Sequence, residues 1–585
     1  MLPMHRNDAQ DADDAVMRQR LHTMELEDDQ PVSSKPRGIT IITPDAFATE
    51  STQTTSIDST TPPLWRSKEF YVYYVTAAFV IPYMIWVPIS LSSSTHPEYF
   101  RYAGYLVNGW MGHRLRDNSD YQYRLFRDNA VLIFVLMVVY ALLSSMVRWL
   151  AHVTRIPHVT ARTAFLFITG IVFVTALHGV NVLKMLALAG INYGLVRAAP
   201  WVPRRVITTL IWAMNGGALF LAFYTEGIPW HMLSPSLAWL DEYSGLIRRW
   251  HISYNFTMLR MVSFALDAVW AQAGYAPDRP ALTPAQQRVR QSRPVQEYTM
   301  LAQLVYLWYP PLFIAGPIMT FNDFQSQRVQ PLQVPWRSVA IYMLRCAVAL
   351  LSIEFMMHYM YVNAMKMAHT WMGYTPMELA ILGFWSLEFV WLKLVVPWRV
   401  FRCWALLDGV DAPENMIRAI TNSPSALLFW RAWHRSYNLW VVRYIYIPLG
   451  GTQRQILASL VVFTFVALWH DLSFTLLAWA WLIVLFIVPE VLGRTLVPAS
   501  KYQHTPWFRH VRALGTVANV FMMMSANLVG FVVGLDGVQY VWSQLLGTRK
   551  GWVCIAELIG VLFIGAQLMW EYRAEEKRRG IVRNC

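Results

Sequence analysis

Residues 429–451 read FWRAWHRSYNLWVVRYIYIPLGG, and the arrangement of the remaining chain follows from this stretch. It is as aromatic as a membrane segment, yet it carries three arginines, a histidine and an asparagine. Lipid is a costly environment for such side chains, so they must face protein or water. A Gly-Gly break follows, and then an apolar run over residues 456–488. Each of the two apolar segments contains one histidine, His434 and His470, and these are the first candidates for chemistry.

The spacing of the two histidines predicts a helical hairpin. Pro448 and the glycines after it should end one helix, and the polar residues up to Gln455 should lead into the next. His434 lies 14 residues before Pro448, and His470 lies 15 residues after Gln455. At about 1.5 Å of rise per residue, both would lie roughly 20 Å from the turn. We therefore expect two straight antiparallel helices with the histidines at a similar depth.

Composition predicts an all-α polytopic membrane protein. The 585 residues are 55% hydrophobic and 15% charged, and several apolar runs are long enough to cross a bilayer. We expect roughly ten to twelve transmembrane or re-entrant helices. Residues 1–63 hold 5 basic and 11 acidic side chains, which leaves a formal charge of +19 on the rest. Because this positive charge is dispersed between apolar runs, it favours membrane lipids and anionic substrates as partners, and not nucleic acid.

The chain divides into three predicted regions. Residues 1–63 are rich in Asp, Glu, Ser, Thr and Pro and are expected to be a disordered acidic tail. Residues 64–572 form the transmembrane domain, and residues 573–585 a basic C-terminal tail. Within the domain, residues 250–256 are interpreted as a functional loop that leads into a helical segment over residues 259–267. Arg260 and Asp267 lie seven residues apart on one face of that helix, so each is expected to have other partners.

The two histidines suit proton transfer. A polar ring inside an otherwise apolar run is costly, which favours function over structure for His470. Its imidazole titrates near neutral pH and could take a proton from an acceptor hydroxyl. His434 could donate a hydrogen bond to a carbonyl oxygen and stabilise a developing oxyanion, or it could simply position its neighbours.

Four other side chains near His434 are candidates for ligand binding. Asn438 and Arg431 are expected to share the helix face of His434, one turn after and one turn before it. Arg431 and Arg435, with Trp430 beside them, are natural partners for phosphate groups. The alternative for both arginines is that they extend to a membrane edge without binding a ligand.

Hydrolase, metalloprotease and ATPase functions lose support because the motifs typical of these enzymes do not occur in the sequence. There is no GxSxG nucleophile, and no HxxxxD, HExxH or P-loop pattern. The four cysteines lie far apart without a CxxC pair, which indicates neither a metal site nor a disulfide framework.

Three motifs resemble those of a known family. They are RYIYIPLGG over residues 443–451, Trp469-His470, and YPPLFIAGPIM over residues 309–319. On these residues the sequence resembles the membrane-bound O-acyltransferase family. Within that family it is similar to the glycerol-uptake-protein (Gup) branch of fungi and protists, which is related to Hedgehog acyltransferase.

The resemblance implies a helical bundle around a tunnel, with His470 and His434 as the catalytic pair. Relatives carry Asn, Asp or His at the upstream position. Acyl-CoA would be the co-substrate, bound by Trp430, Arg431, Arg435 and Asn438, with no permanently bound cofactor.

For the Gup branch, the resemblance implies transfer of a long acyl chain to a lysolipid or a lyso-glycosylphosphatidylinositol (lyso-GPI) anchor at its sn-2 hydroxyl. The expected location is the endoplasmic-reticulum membrane, with the plasma membrane as a second one. The branch name leaves an alternative open, namely glycerol uptake or its regulation.

Overall fold

The computed structural model describes residues 62–274, 284–471 and 473–581. The prediction of a disordered acidic tail falls almost wholly outside the described residues, as do the last four residues of the predicted basic tail.

The described residues form a helical protein with one small β-hairpin. Its helices, in chain order, are α1 (Lys68–Leu91), α2 (Tyr99–Tyr102), α3 (Tyr121–Asp128), α4 (Ala130–Val153), α5 (His158–His178), α6 (Val182–Ala198), α7 (Arg204–Tyr224), α8 (Trp230–Leu233), α9 (Trp250–Gln272), α10 (Pro284–Arg290), α11 (Met300–Leu307), α12 (Pro310–Phe313), α13 (Phe321–Val329), α14 (Trp336–Tyr359), α15 (Val362–Met367), α16 (Pro376–Leu407), α17 (Ala426–Ala432), α18 (Arg435–Val441), α19 (Gln455–His470), α20 (Phe474–Leu496), α21 (Ala499–Tyr502), α22 (Phe508–Phe531), α23 (Gly534–Gly547) and α24 (Arg549–Arg578). Strands β1 (Leu106–Asn108) and β2 (Leu115–Asp117) pair antiparallel.

Nine helical segments of the described chain are long and apolar enough to cross a membrane. They are α1, α4, α5 together with α6, α7, α14, α16, α20, α22 and α24. Helix α19 is apolar but shorter, with 16 residues. Many of their outward side chains are exposed, and large aromatic residues such as Trp201, Tyr224 and Trp336 lie at span ends, as in membrane interfaces. The prediction of an all-α polytopic membrane protein is confirmed.

Helix α9 is the centre of the bundle and begins at Trp250, which corrects the interpretation of residues 250–256 as a loop. Nearly every residue from Trp250 to Val269 is buried. This helix packs against other helices, among them α6, α7, α11 and α13. It can therefore carry polar side chains, provided that each finds a partner inside the protein.

The charged residues of α9 have such partners. The Arg260 guanidinium donates to the backbone oxygens of Leu307, the last residue of α11, and of Leu312, within α12. The Asp267 carboxylate accepts from the Arg443 guanidinium at 2.8 Å and from the Tyr444 hydroxyl at 3.0 Å. The prediction that Arg260 and Asp267 would pair with other groups is confirmed.

The YPPLFIAGPIM motif forms a buried, broken segment between α11 and α13. The Tyr309 hydroxyl donates to the buried Asp408 carboxylate at 2.7 Å, and Arg162 donates to the same carboxylate. At the other end of the motif, the Ile318 amide donates to the Ser436 hydroxyl at 2.9 Å. The motif thus ties α5 and α16 to the segment that carries His434.

Candidate active site

The turn predicted between the two histidine segments is present. A π-helical turn, Val442–Tyr446, extends α18, and α19 begins at Gln455. Between them Gly450 and Gly451 both have positive φ, at 109° and 53°. Because residues with a Cβ rarely adopt such backbone angles, these glycines allow the chain to reverse.

The segment before the turn is not one straight helix, so that prediction was wrong. Helix α17 ends at Ala432, and His434 has left-handed backbone angles, φ 43° and ψ 52°. Helix α18 begins at the next residue. Asn438 keeps its one-turn relation to His434, because its amide donates to the His434 carbonyl at 3.0 Å. Arg431, however, belongs to a different helix.

A distant side chain stabilises the break. The backbone oxygen of Asn415 accepts from the Arg435 amide at 3.0 Å, and its side-chain oxygen accepts from the Ser436 amide at 3.2 Å. These amides belong to the first turn of α18, where a helix has no internal acceptors of its own. Asn415 therefore supplies two of the acceptors that a preceding helical turn would otherwise supply.

Stacked rings connect the two histidines. The His434 ring lies between Trp398, at 4.6 Å and 13°, and Tyr437, at 5.3 Å and 23°. Tyr437 stacks on Trp469 at 4.6 Å, and Trp469 contacts the ring of His470 at 4.7 Å. Sequence reasoning missed Trp398 and Tyr437, since one more aromatic residue in an aromatic-rich membrane segment gives no local signal.

The two histidines differ in their surroundings. His434 is 6% exposed, and its Nε2 atom is buried without a hydrogen-bond partner among the described residues. His470 ends α19 and is exposed where it lines an internal cavity. The first has a free polar atom beside the cavity, and the second has an accessible ring.

That cavity has a volume of about 2280 Å³. It is lined by all six side chains predicted as site residues: Trp430, Arg431, His434, Arg435, Asn438 and His470. Lining residues of α9 run from Ile252 to Gly274 just beyond its end, a distance of about 33 Å along the helix axis. The hydrocarbon core of a bilayer is about 30 Å thick, so the two groups of α9 residues that line the cavity are about as far apart as the two faces of that core.

The charged side chains that line the cavity are mainly basic. Among the described residues they are Arg290, Lys393, Arg431, Arg435 and Arg443, against one acidic residue, Asp323. Arg443 and Lys393 are paired with Asp267 and Asp120, and Asp323 with Arg288. Arg431 is exposed, and the described residues offer it no hydrogen-bond or ion-pair partner. It is therefore available to an anionic ligand.

Comparison with known proteins gives a consistent assignment. Residues 206–534 match the membrane-bound O-acyltransferase family. The Saccharomyces cerevisiae protein named Membrane-bound O-acyltransferase GUP1 is 41% identical over 90% of this chain and 95% of its own length. Its namesake from Candida tropicalis is 40% identical over 89% of this chain and 90% of its own. The mouse protein named Protein-cysteine N-palmitoyltransferase HHAT is 29% identical over 44% of this chain and 55% of its own.

The family match thus includes both histidines and the helices that carry them, and the similarity extends over 90% of this chain to a fungal Gup protein and, at lower identity, over 44% of it to Hedgehog acyltransferase. The chain belongs to the membrane-bound O-acyltransferase family, as an acyltransferase of its Gup branch.

Proposed function

We propose that this protein transfers a long-chain fatty acyl group from acyl-CoA to a lipid hydroxyl, with His470 as the general base. One observation carries the proposal most strongly: His470 and His434 line the same large cavity and are joined by a continuous series of ring contacts. The cavity volume exceeds the roughly 300–1,000 Å³ of an ordinary ligand pocket, which suits two long substrates bound at once.

The proposed reaction is a direct transfer. His470 takes the proton of the acceptor hydroxyl while the oxygen attacks the thioester carbonyl carbon, and the new C–O bond gives a tetrahedral oxyanion. The C–S bond then breaks, and the leaving thiolate of CoA takes the proton from the His470 imidazolium. No atom or electron is left over, and the imidazole returns to its neutral form.

His434 would stabilise the oxyanion. Its Nε2 is buried and unpartnered, so an N–H at that position could donate to the developing charge without first breaking another bond. A preorganised donor of this kind in a water-poor cavity is effective because its dipole does not need to reorient.

The remaining predicted residues would hold acyl-CoA. Arg431 and Arg435 lie on either side of His434 and face the cavity, where their guanidinium groups suit phosphates. The Asn438 side chain donates to the Trp430 backbone oxygen at 3.2 Å and so ties α18 to α17 across the break. Asn438 and Trp430 would thus fix the wall against which the headgroup binds.

The acceptor we propose is a lyso-GPI anchor or a related lysolipid, reacylated at the sn-2 position in the endoplasmic-reticulum membrane. One side of the cavity is lined by apolar residues of α4 and α16, among them Leu132, Leu136, Val390 and Leu394. The two α4 residues are also exposed on the bundle surface. An acceptor with its own hydrocarbon chain could enter there from the lipid, whereas glycerol has no need of such a surface.

The test is single-turnover transfer of labelled long-chain acyl-CoA by purified wild type, His470→Ala and a control, His152→Ala, in which an exposed histidine at the end of α4 is removed. The acceptors would be a lyso-GPI, other lysolipids and glycerol. The expected result is transfer to the lyso-GPI by wild type and the control, and only a residual rate, about 100- to 10,000-fold lower, by His470→Ala. Full activity of a folded His470→Ala protein would overturn the mechanism.

The alternative, glycerol transport, is separated by an independent assay. Sealed liposomes that contain the purified protein should take up no labelled glycerol beyond protein-free liposomes. Uptake together with absent acyl transfer would favour the transport interpretation.

A further inference from the structure

Reciprocal hydrogen bonds join α9 to the residue just before His470. The side-chain Nδ2 of Asn255 donates to the backbone oxygen of Trp469 at 3.0 Å, and the indole Nε1 of Trp469 donates to the backbone oxygen of Asn255 at 3.1 Å. Both residues are buried, with 9% and 3% exposure. Because a carbonyl oxygen can only accept, the first bond fixes which end of the Asn255 amide faces Trp469.

The position of these bonds at the end of α19 makes them important. The last four carbonyls of a helix have no partner within it, and the Trp469 carbonyl is one of them. Helix α19 ends at His470, and the backbone is already extended at Asp471. The Asn255 side chain on α9 therefore donates to the Trp469 carbonyl, which has no partner within α19. This bond holds the last turn of α19, on which His470 lies.

Trp469 also sets the distance between the two histidines. One side of its ring stacks on Tyr437, which stacks on His434, and the ring of His470 contacts it as well. A movement of Trp469 would shift His470 relative to His434 and to the bound substrates. Misplacement of a reacting group by about 1 Å can cost on the order of 100-fold in rate.

We infer that Asn255 is a positioning residue for acyl transfer: it holds the Trp469–His470 end of α19 in the geometry that the reaction needs. This inference rests on the proposed role of His470 as the base. Asn255 lines the cavity together with His470, but its effect is exerted through Trp469.

The primary test compares Asn255→Leu, which keeps a branched side chain but removes the donor, with wild type. We expect the single-turnover rate per acyl-CoA-binding site to fall about 10- to 100-fold, with acyl-CoA affinity changed less than about twofold. The matched control is Thr257→Val on the same helix. Thr257 is also buried, but its hydroxyl donates to the Ser253 carbonyl one turn earlier in the same helix, so this variant should keep the wild-type rate.

A double variant separates positioning from a general loss of structure. If Asn255 acts through His470, then Asn255→Leu combined with His470→Ala should be no slower than His470→Ala alone. A further loss in the double variant, or a wild-type rate in Asn255→Leu, would overturn the inference. Activity retained in His470→Ala would instead refute the proposed function, so the two failures can be told apart.

A second variant covers the case in which Asn255→Leu does not fold. Asn255→Ala removes the same Nδ2 donor to the Trp469 backbone oxygen without adding volume to the buried site. The same rate loss, and the same absence of a further loss in the His470→Ala background, are expected. A wild-type rate in this variant would equally count against the inference.

Discussion

Replacing His434 with Phe should raise stability slightly while it abolishes most of the activity. The stacked position between Trp398 and Tyr437 accepts any flat ring, so the packing of the site should survive. What the substitution removes is the buried Nε2 atom, which has no partner among the described residues. The two effects of this removal have opposite signs, and both can be measured.

The stability change follows from the unpaired nitrogen. A buried polar atom without a hydrogen bond costs about 1–3 kcal/mol, and the apolar Phe ring does not carry this cost. The left-handed backbone at φ 43° favours His over Phe, which offsets part of the gain. A net stabilisation of about 1 kcal/mol is expected, measured as a higher midpoint of thermal unfolding in detergent.

The activity change follows from the proposed oxyanion contact. Loss of one preorganised donor costs about 100- to 1000-fold in kcat, or about 2.7–4 kcal/mol. We expect this loss in single-turnover acyl transfer, with acyl-CoA affinity preserved because Arg431 and Arg435 are intact. His434→Asn is the control: its side chain retains an N–H donor and tolerates left-handed angles, so it should keep more activity than Phe.

Two results would refute this reasoning. A wild-type transfer rate in His434→Phe would mean that the ring serves only to pack between Trp398 and Tyr437. A lower unfolding midpoint would mean that Nε2 has a partner that stabilises the native state.

Two further predictions concern stability. Asp267→Asn should destabilise the protein by about 3–5 kcal/mol in thermal unfolding, because it leaves Arg443 without its buried carboxylate, and adding Arg443→Met should restore most of the loss. Partial burial raises the pKa of Asp241, but the Trp230 and His231 N–H groups that bond to the carboxylate lower it overall. The stability that these bonds give is present at neutral pH and is lost as the pH falls through the lowered pKa. Hydrogen exchange of the Trp230 and His231 amides should therefore speed up in acid relative to the amides of a distant helix. In Asp241→Asn, these two amides should exchange fast already at neutral pH.

The features that the sequence predicted correctly are those set by local physics. Apolar runs must lie in lipid, and the glycines at 450 and 451 must allow a turn whatever surrounds them. All six predicted site residues line one cavity. Polar side chains in an apolar segment avoid lipid and face the interior of the protein or a cavity. Their chemical roles remain predictions.

The features that the sequence did not predict depend on distant partners. Residues 250–256 of helix α9 were misread as a loop because side chains such as His251 and Asn255 are unsuited to lipid, whereas the fold buries them in protein. The break at His434 was missed because its stabilising acceptor, Asn415, lies 20 residues upstream of Arg435. No local pattern reveals such a contact.

Several energetic costs coincide at His434, and their coincidence favours a chemical role. Left-handed backbone costs roughly 1–2 kcal/mol for a residue with a Cβ, and Gly would avoid this cost. The unpaired Nε2 adds a further cost that Phe or Trp would avoid. A residue that served only for packing should be replaceable by one that lowers the backbone strain or removes the unpaired polar atom. Strained residues with unpaired polar atoms persist where the surroundings enforce them, here Asn415 and the stacked rings, and they occur mainly at functional sites.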